Sequence, residues 1–358
     1  MSITYTVFKG TPEGKIIEAK NTREILPNEV LVKVTHSGIC GTDQHYKTSG
    51  MALGHEGAGI VEVVPHNPNS YMPLIITEVF QKLGASVTDF AKGDSVGWGY
   101  THYTCGQCKQ CLSGHDSRCQ ARGQYGFANF DQGSFASHGI WRADALFKIP
   151  STMPREYAAP LMCGGATVHA ALTQFDVKPT DRVGIIGVGG LGHLAIQFAA
   201  KMGCDVVAFS STNSKEKEAL SLGAGAFFPT KDQTEIAVGE KLDHLIVTTS
   251  AQPNWGLFLP LLAPGATVFP LTVDMGELRI PYMALLGSQI RIQGTTVADR
   301  QVHREMIAFA DRHKIFPVIE KFEMSVDGIT NAMQKLSDGK MRYRGVLETK
   351  GVEVLPVR

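Results

Sequence analysis

Apolar positions along this chain follow one pattern in its first 150 residues and another after them. Early on, short β-branched or aliphatic runs (Val30 to Thr35, Ala58 to Val64, Ser95 to Gly99) alternate with Gly, Pro and Asn/Asp punctuation, which predicts a β-rich, barrel-like domain. From Pro154 to about Gly294 the texture becomes apolar strand, loop and amphipathic helix, repeated. Strands are predicted at Arg182 to Ile186, Asp205 to Phe209, Leu245 to Thr248, Thr267 to Leu271 and Ile290 to Gln293, with helices at 191–203 and 214–222. That alternation predicts an α/β domain with a doubly wound parallel sheet. The remainder carries helical patterns around His303 to His313 and Val326 to Ser337 and a strand near Arg344 to Leu347. The expected organisation is a β-rich domain over 1–153, a parallel-sheet domain over 154–294, and a return to the first domain over 295–358.

Two segments interrupt this pattern. Val183 to Ala200 is free of charge for 18 residues, but five glycines gathered in its middle describe strand, turn and helix, and no membrane span is expected. Residues 65–83 separate two pieces that a tight turn would join. Their second half is amphipathic, with Ile75, Val79 and Leu83 four apart, and reads as a lid, a surface decoration or translated non-coding sequence.

Charge and composition narrow the function. The 358 residues hold 34 basic and 34 acidic side chains, and 43% are apolar. A chain with no excess of Lys and Arg has no electrostatic motive for nucleic acid, and this much apolar material supports a core. The first ten residues show no basic region followed by an apolar run, so a cytoplasmic location with reduced thiols is expected. Seven cysteines, an odd count, suit metal ligation better than a disulfide framework.

Four of the seven, Cys105, Cys108, Cys111 and Cys119, form C-x2-C-x2-C-x7-C within a lobe spanning 102–120, with Gly106 and Gly114 supplying turns. Such spacing predicts a closed, structural Zn²⁺ site. An iron–sulfur cluster is the rival, disfavoured by the long last gap and the lack of a following Pro.

Gly187, Val188, Gly189, Gly190, Leu191 and Gly192 follow a predicted strand and open a predicted helix, the context in which G-x-G-x-x-G binds a dinucleotide pyrophosphate. Specificity is read at the end of the next strand. There an NAD site would place a carboxylate for the ribose 2′-OH. This chain offers Ser210, Ser211, Thr212 and Lys215 instead, hydroxyls and a cation that suit a 2′-phosphate and therefore NADP(H).

Cys40, His55 and Cys163 would leave one tetrahedral position open at a catalytic zinc, but spacings of 15 and 108 residues carry little evidence alone. Taken in order, however, GICGTDQH, GHEGAG, the four-Cys lobe, PLMCGGATV and GVGGLGHLAIQFA resemble the zinc-dependent medium-chain alcohol dehydrogenases, most of all their cinnamyl alcohol dehydrogenase branch. The likeness covers nearly the whole chain except 65–83. It implies a GroES-like catalytic domain beside a Rossmann domain, two Zn²⁺ per chain, NADP(H), an alcohol or aldehyde substrate (aryl or allylic), and a homodimer. Position by position, it implies that Cys40, His55 and Cys163 hold the catalytic zinc, with Glu56 beside it and Asp43 orienting His55. It makes Thr42 the hydroxyl that bonds the substrate alcohol and His45 the outer member of a proton relay. Thr167 joins the cofactor-binding residues.

Two departures matter. Gly41 stands where many relatives carry a basic residue or His near the pyrophosphate, and the gap from Cys40 to His55 is shorter than in most of them. Rival functions are an NADPH-dependent C=C or C=N reductase on the same scaffold, a polyol dehydrogenase, and a non-catalytic zinc-binding redox sensor. Trp98 and Tyr100 are candidate pocket residues, with core packing the equal alternative for Trp98. Cys204 reads as an ordinary buried thiol, and His193 as a packing residue.

Overall fold

The computed structural model describes residues 2–63 and 87–350, so the unusual segment 65–83 lies outside the described residues. Two compact units emerge. One comprises Met1–Cys163, Asp299–Asp311 and Val318–Arg358; the other comprises Gly164–Ala298 and Arg312–Pro317.

The first unit is β-rich. Its seven-stranded sheet runs Ile319–Glu323, Arg344–Glu348, Glu29–Ile39, Gly57–Val63, Ser95–Trp98, Phe147–Lys148, with His138–Arg142 also paired to Glu29–Ile39. The first pair is parallel and the others are antiparallel. Strand Glu29–Ile39 is buried at nearly every position and is the axis of the core, where Val30, Val32, Val34, Val61, Val96 and Ile140 pack together. Sequence pattern ends this strand at Thr35, yet it continues through His36, Ser37 and Gly38. Thr35 and Ser37 can be buried because their hydroxyls are paired: Thr35 Oγ1 donates to Ala58 O at 3.1 Å, and Ser37 Oγ meets Ser134 Oγ at 2.7 Å. Trp98 is also core, packed against Trp141 with ring centroids 5.4 Å apart and planes tilted by 35°.

The second unit is a doubly wound sheet, six strands all parallel. Across the sheet they run Ala226–Pro229, Asp205–Ser210, Arg182–Ile186, Leu242–Val247, Leu262–Pro270, Arg291–Ile292. Numbered along the chain, that is the order 3-2-1-4-5-6 of dinucleotide-binding sheets. Strand Ala226–Pro229 has no counterpart among the sequence expectations; it is short, half-buried and ends in proline, as an edge strand does. Helix Gly192–Met202 ends at Gly203, whose φ of 101° is the left-handed conformation that closes helices. No helix among the described residues is long and apolar enough to cross a membrane.

Candidate active site

Three local devices in the first unit bring one cluster together. Strand Glu29–Ile39 delivers the chain to Cys40, which is extended (φ −123°, ψ 159°) and opens the short helix Gly41–His45. Gly54, at φ 92°, turns the chain ahead of His55 and Glu56; a Cβ there would lie 2.4 Å from Phe135. Cys163 sits in a single π-helical turn, Leu161–Gly165, the kind of irregularity found at functional sites. The ligand atoms of Cys40, His55, Glu56 and Cys163 all lie within 4.8 Å of one another.

His55 is wholly buried, and its Nδ1 is 2.9 Å from Oδ1 of the equally buried Asp43. Because a carboxylate only accepts, the proton sits on Nδ1 and the lone pair on Nε2. That Nε2, like Oε2 of Glu56, is buried and finds no nitrogen or oxygen partner among the described residues. An unpartnered imidazole nitrogen, two thiols and a carboxylate form a donor set that fits a borderline-soft dication such as Zn²⁺. The other Glu56 oxygen accepts from Arg344, also buried.

The electrostatics are those of a crowded, dry site. Burial raises the Glu56 carboxyl to about 7, against the pull of Arg344. Burial disfavours a charged His55, but Asp43 overrides it and holds the imidazole well above its ordinary value. The hydrogen bond between the two thiols splits them: Cys40 falls well below the usual range and Cys163 rises well above it. A dication among these atoms would hold both as thiolates.

Thr42 is partly buried, its Oγ1 3.7 Å from Cys40 Sγ, whereas His45 is exposed at the last position of the same helix. The structure thus gathers Cys40, Thr42, Asp43, His55, Glu56 and Cys163. Sequence reasoning missed Arg344 and Tyr125. Arg344 reaches Glu56 across 288 positions of chain, and nothing local marks it. The Tyr125 ring lies 4.8 Å from the His55 ring, and Tyr100 meets the same imidazole edge-on at 5.8 Å. Burial, and then the Asp43 charge, push the Tyr125 phenol well above its usual pKa.

In the cysteine lobe the four sulfurs also lie within 4.8 Å of one another. Cys105 Sγ is 3.9 Å from Cys111 Sγ and 3.6 Å from Cys119 Sγ, and Cys108 Sγ is 3.5 Å from Cys111 Sγ. A tetrahedron with metal–sulfur bonds of about 2.3 Å has edges of roughly 3.8 Å, so one zinc ion fits; a cluster would seat each thiolate on its own iron, farther apart. Gly106 and Gly114 adopt φ of 73° and 78°, as the turns require. Backbone N–H groups of Gln107 and Cys108 lower the Cys105 thiol to about 6. His102 packs against Trp141 and His115 lies beside Asp299 at 3.5 Å; neither belongs to the sulfur group.

In the second unit, the glycine loop follows strand Arg182–Ile186. Gly187 has φ 94°, and a Cβ on Gly192 would sit 1.7 Å from Gly187 O, so neither position accepts a side chain. A Cβ on Gly189 would meet nothing within 4 Å, which leaves room above the loop for a ligand. Gly190 and Leu191 lead into helix Gly192–Met202, whose N-terminal amides suit a phosphate. Buried Ser210 ends strand Asp205–Ser210, and Ser211 and Thr212 follow it, exposed. Lys215 Nζ donates to Val188 O at 2.7 Å, which holds the cation against the glycine loop. Thr167 is partly buried in helix Ala166–Thr173. His193 Nδ1 meets Gly189 O at 2.8 Å, and Cys204 is buried with its thiol raised to about 11 by burial.

Comparison with known proteins agrees with this architecture. Residues 26–151 match the alcohol dehydrogenase GroES-like domain, and residues 190–312 match the zinc-binding dehydrogenase domain. The chain is 32% identical to an aldehyde reductase of Synechocystis sp. over 89% of its own length and 91% of the relative's. It is 29% identical to an NADP-dependent alcohol dehydrogenase of Mycolicibacterium smegmatis, covering 91% and 92% of the two chains. A solved cinnamyl alcohol dehydrogenase from Sorghum bicolor superposes with a TM-score of 0.85 at 29% identity, covering 99% of this chain and 100% of that one. The chain belongs to the zinc-dependent medium-chain alcohol dehydrogenases, on their cinnamyl alcohol dehydrogenase-like branch.

Proposed function

We propose that this protein is a zinc-dependent oxidoreductase that interconverts a primary alcohol, aryl or allylic in class, and its aldehyde, using NADP(H). The observation that carries this reading is the buried, unpartnered Nε2 of His55 among two thiols, with Asp43 fixing the proton on the opposite ring nitrogen. When bound by Cys40, His55 and Cys163, zinc polarises the substrate oxygen, and NADP(H) carries the hydride. Thr42 Oγ1, beside the sulfur of Cys40, accepts the proton of the substrate hydroxyl while its own proton passes outward to His45, which hands one to solvent. Glu56 is held by Arg344 at the edge of the ligand group. The glycine loop receives the pyrophosphate, while Ser211, Thr212 and Lys215 receive the 2′-phosphate. Cys105, Cys108, Cys111 and Cys119 hold a second, structural zinc.

Two coarser properties go with this reading. Two thiolate metal sites need a reducing compartment, which supports the cytoplasm. A homodimer is supported by exposed apolar residues at Val273, Met275, Leu278, Tyr282 and Met283, close in sequence to the edge strand Arg291–Ile292.

The test is NADPH oxidation with a panel of aldehydes, with and without a chelator. Chelator-sensitive reduction of aldehydes to alcohols is expected. Saturation of an enal's C=C bond instead would favour the reductase rival, and zinc binding without turnover would favour the redox sensor.

A further inference from the structure

We propose that Tyr125 is a positioning residue for the catalytic metal: its hydroxyl holds the backbone ahead of His55, and its ring fixes the plane of the imidazole. This rests on the reading of Cys40, His55 and Cys163 as metal ligands.

Tyr125 is wholly buried. Its hydroxyl oxygen accepts from Gly54 N at 3.0 Å. Asp43 holds the other side of the imidazole: its Oδ1 takes His55 Nδ1–H and its Oδ2 takes Cys40 N–H, each at 2.9 Å. The same phenol lies across His55, with ring centroids 4.8 Å apart and planes 30° apart. Tyr46 backs it edge-on at 5.3 Å, and Gly126 leaves the space: a Cβ there would lie 2.2 Å from the Tyr46 hydroxyl. One side chain therefore touches the metal-facing imidazole and the peptide before it.

The physical consequence follows from the acceptor. Removing the hydroxyl strips the buried Gly54 N–H of its acceptor, so the turn that aims His55 loosens.

The test is Tyr125→Phe in the full chain, with Zn²⁺ itself as the probe, titrated against a chromophoric chelator. One zinc should stay with wild-type affinity in the four-Cys lobe. The other should weaken about 10- to 100-fold, with NADPH affinity unchanged. Wild-type affinity for both zinc ions in Y125F would overturn the proposal. Loss of both metals together with the helical signal would overturn it too, by making Tyr125 a core residue. A second zinc that survives Cys163→Ala in the otherwise wild-type chain would instead overturn the metal reading, and this inference with it.

Discussion

Gly38 lies directly under Glu56: its N–H donates to Glu56 O at 2.8 Å, and a Cβ added to it would sit 1.9 Å from Glu56 Oε2. The strand neighbour of this carboxylate must therefore lack a side chain. Gly38→Ala should push Glu56 off Arg344, with a stability loss of about 1–3 kcal/mol and a fall in kcat/KM of about tenfold or more. Urea unfolding and steady-state kinetics measure the two effects. Wild-type values for both would mean that Glu56 moves without consequence.

Cys163→Ala removes one thiolate from the proposed catalytic centre and none from the lobe. Zinc content should fall from two to one per chain, and aldehyde reduction should drop below about a thousandth of wild type. NADPH binding, followed by fluorescence, should be nearly unchanged, since the glycine loop is untouched. Full turnover in this variant would sink the zinc mechanism.

We propose that cofactor choice is made in the loop after strand Asp205–Ser210. Ser211 is exposed there, and no carboxylate occurs until Glu216. Ser211→Asp would repel a 2′-phosphate and accept from a 2′-OH. The ratio of kcat/KM for NADPH over NADH should fall at least about tenfold. An unchanged ratio would locate the selector elsewhere.

Acid stability should depend on His36. It is buried on strand Glu29–Ile39, and burial, then the charges of Arg155 and Lys321, depress it from 6.5 to about 4. An unfolded chain binds this proton first, so the contribution is complete above pH 6.5 and is lost as pH falls toward 4, at up to about 1.4 kcal/mol per unit. His36→Gln should shrink the difference in unfolding free energy between pH 7 and pH 5 by about 1–2 kcal/mol. An unaltered difference in urea titrations would remove His36 from the account.

What the sequence disclosed follows the distance between cooperating residues. The glycine loop and the cysteine lobe are local, so spacing encodes their geometry and the turns at Gly106, Gly114 and Gly187 could be expected. Cys40, His55 and Cys163 meet only through the fold, and resemblance, not spacing, connected them. Arg344 and Tyr125 belong to no pattern; their partners are brought to them by sheet pairing and by the loop after Cys119. The run Thr35 to Gly38 looked polar and hence like a strand end, because side-chain pairing across the sheet is invisible along the chain. Trp98, for which position leaves pocket and core both open, is core, packed against Trp141.

The zinc lobe and helix Arg300–His313 exchange caps, and this gives a last prediction. Asp116 in the lobe accepts from Arg300 N at 3.0 Å and from the Arg300 guanidinium. Asp299, the residue before that helix, accepts from Ser117 N at 2.8 Å in the lobe. Each carboxylate thus satisfies backbone donors at the start of the other element, where helices leave N–H groups unpaired. Asp116→Ala strips one half of the exchange and should cost about 2–3 kcal/mol, from a lost cap and a lost charged hydrogen bond in a buried place. Asp116→Asn, which keeps an acceptor, should cost about half as much. Urea unfolding, together with the rate at which a chelator takes zinc from the four sulfurs, reads both stability and lobe anchoring. Faster zinc release in D116A, with the catalytic zinc retained, is the expected pattern. Stability within about 0.5 kcal/mol of wild type and unchanged release would show that the sulfurs hold the lobe without the clasp.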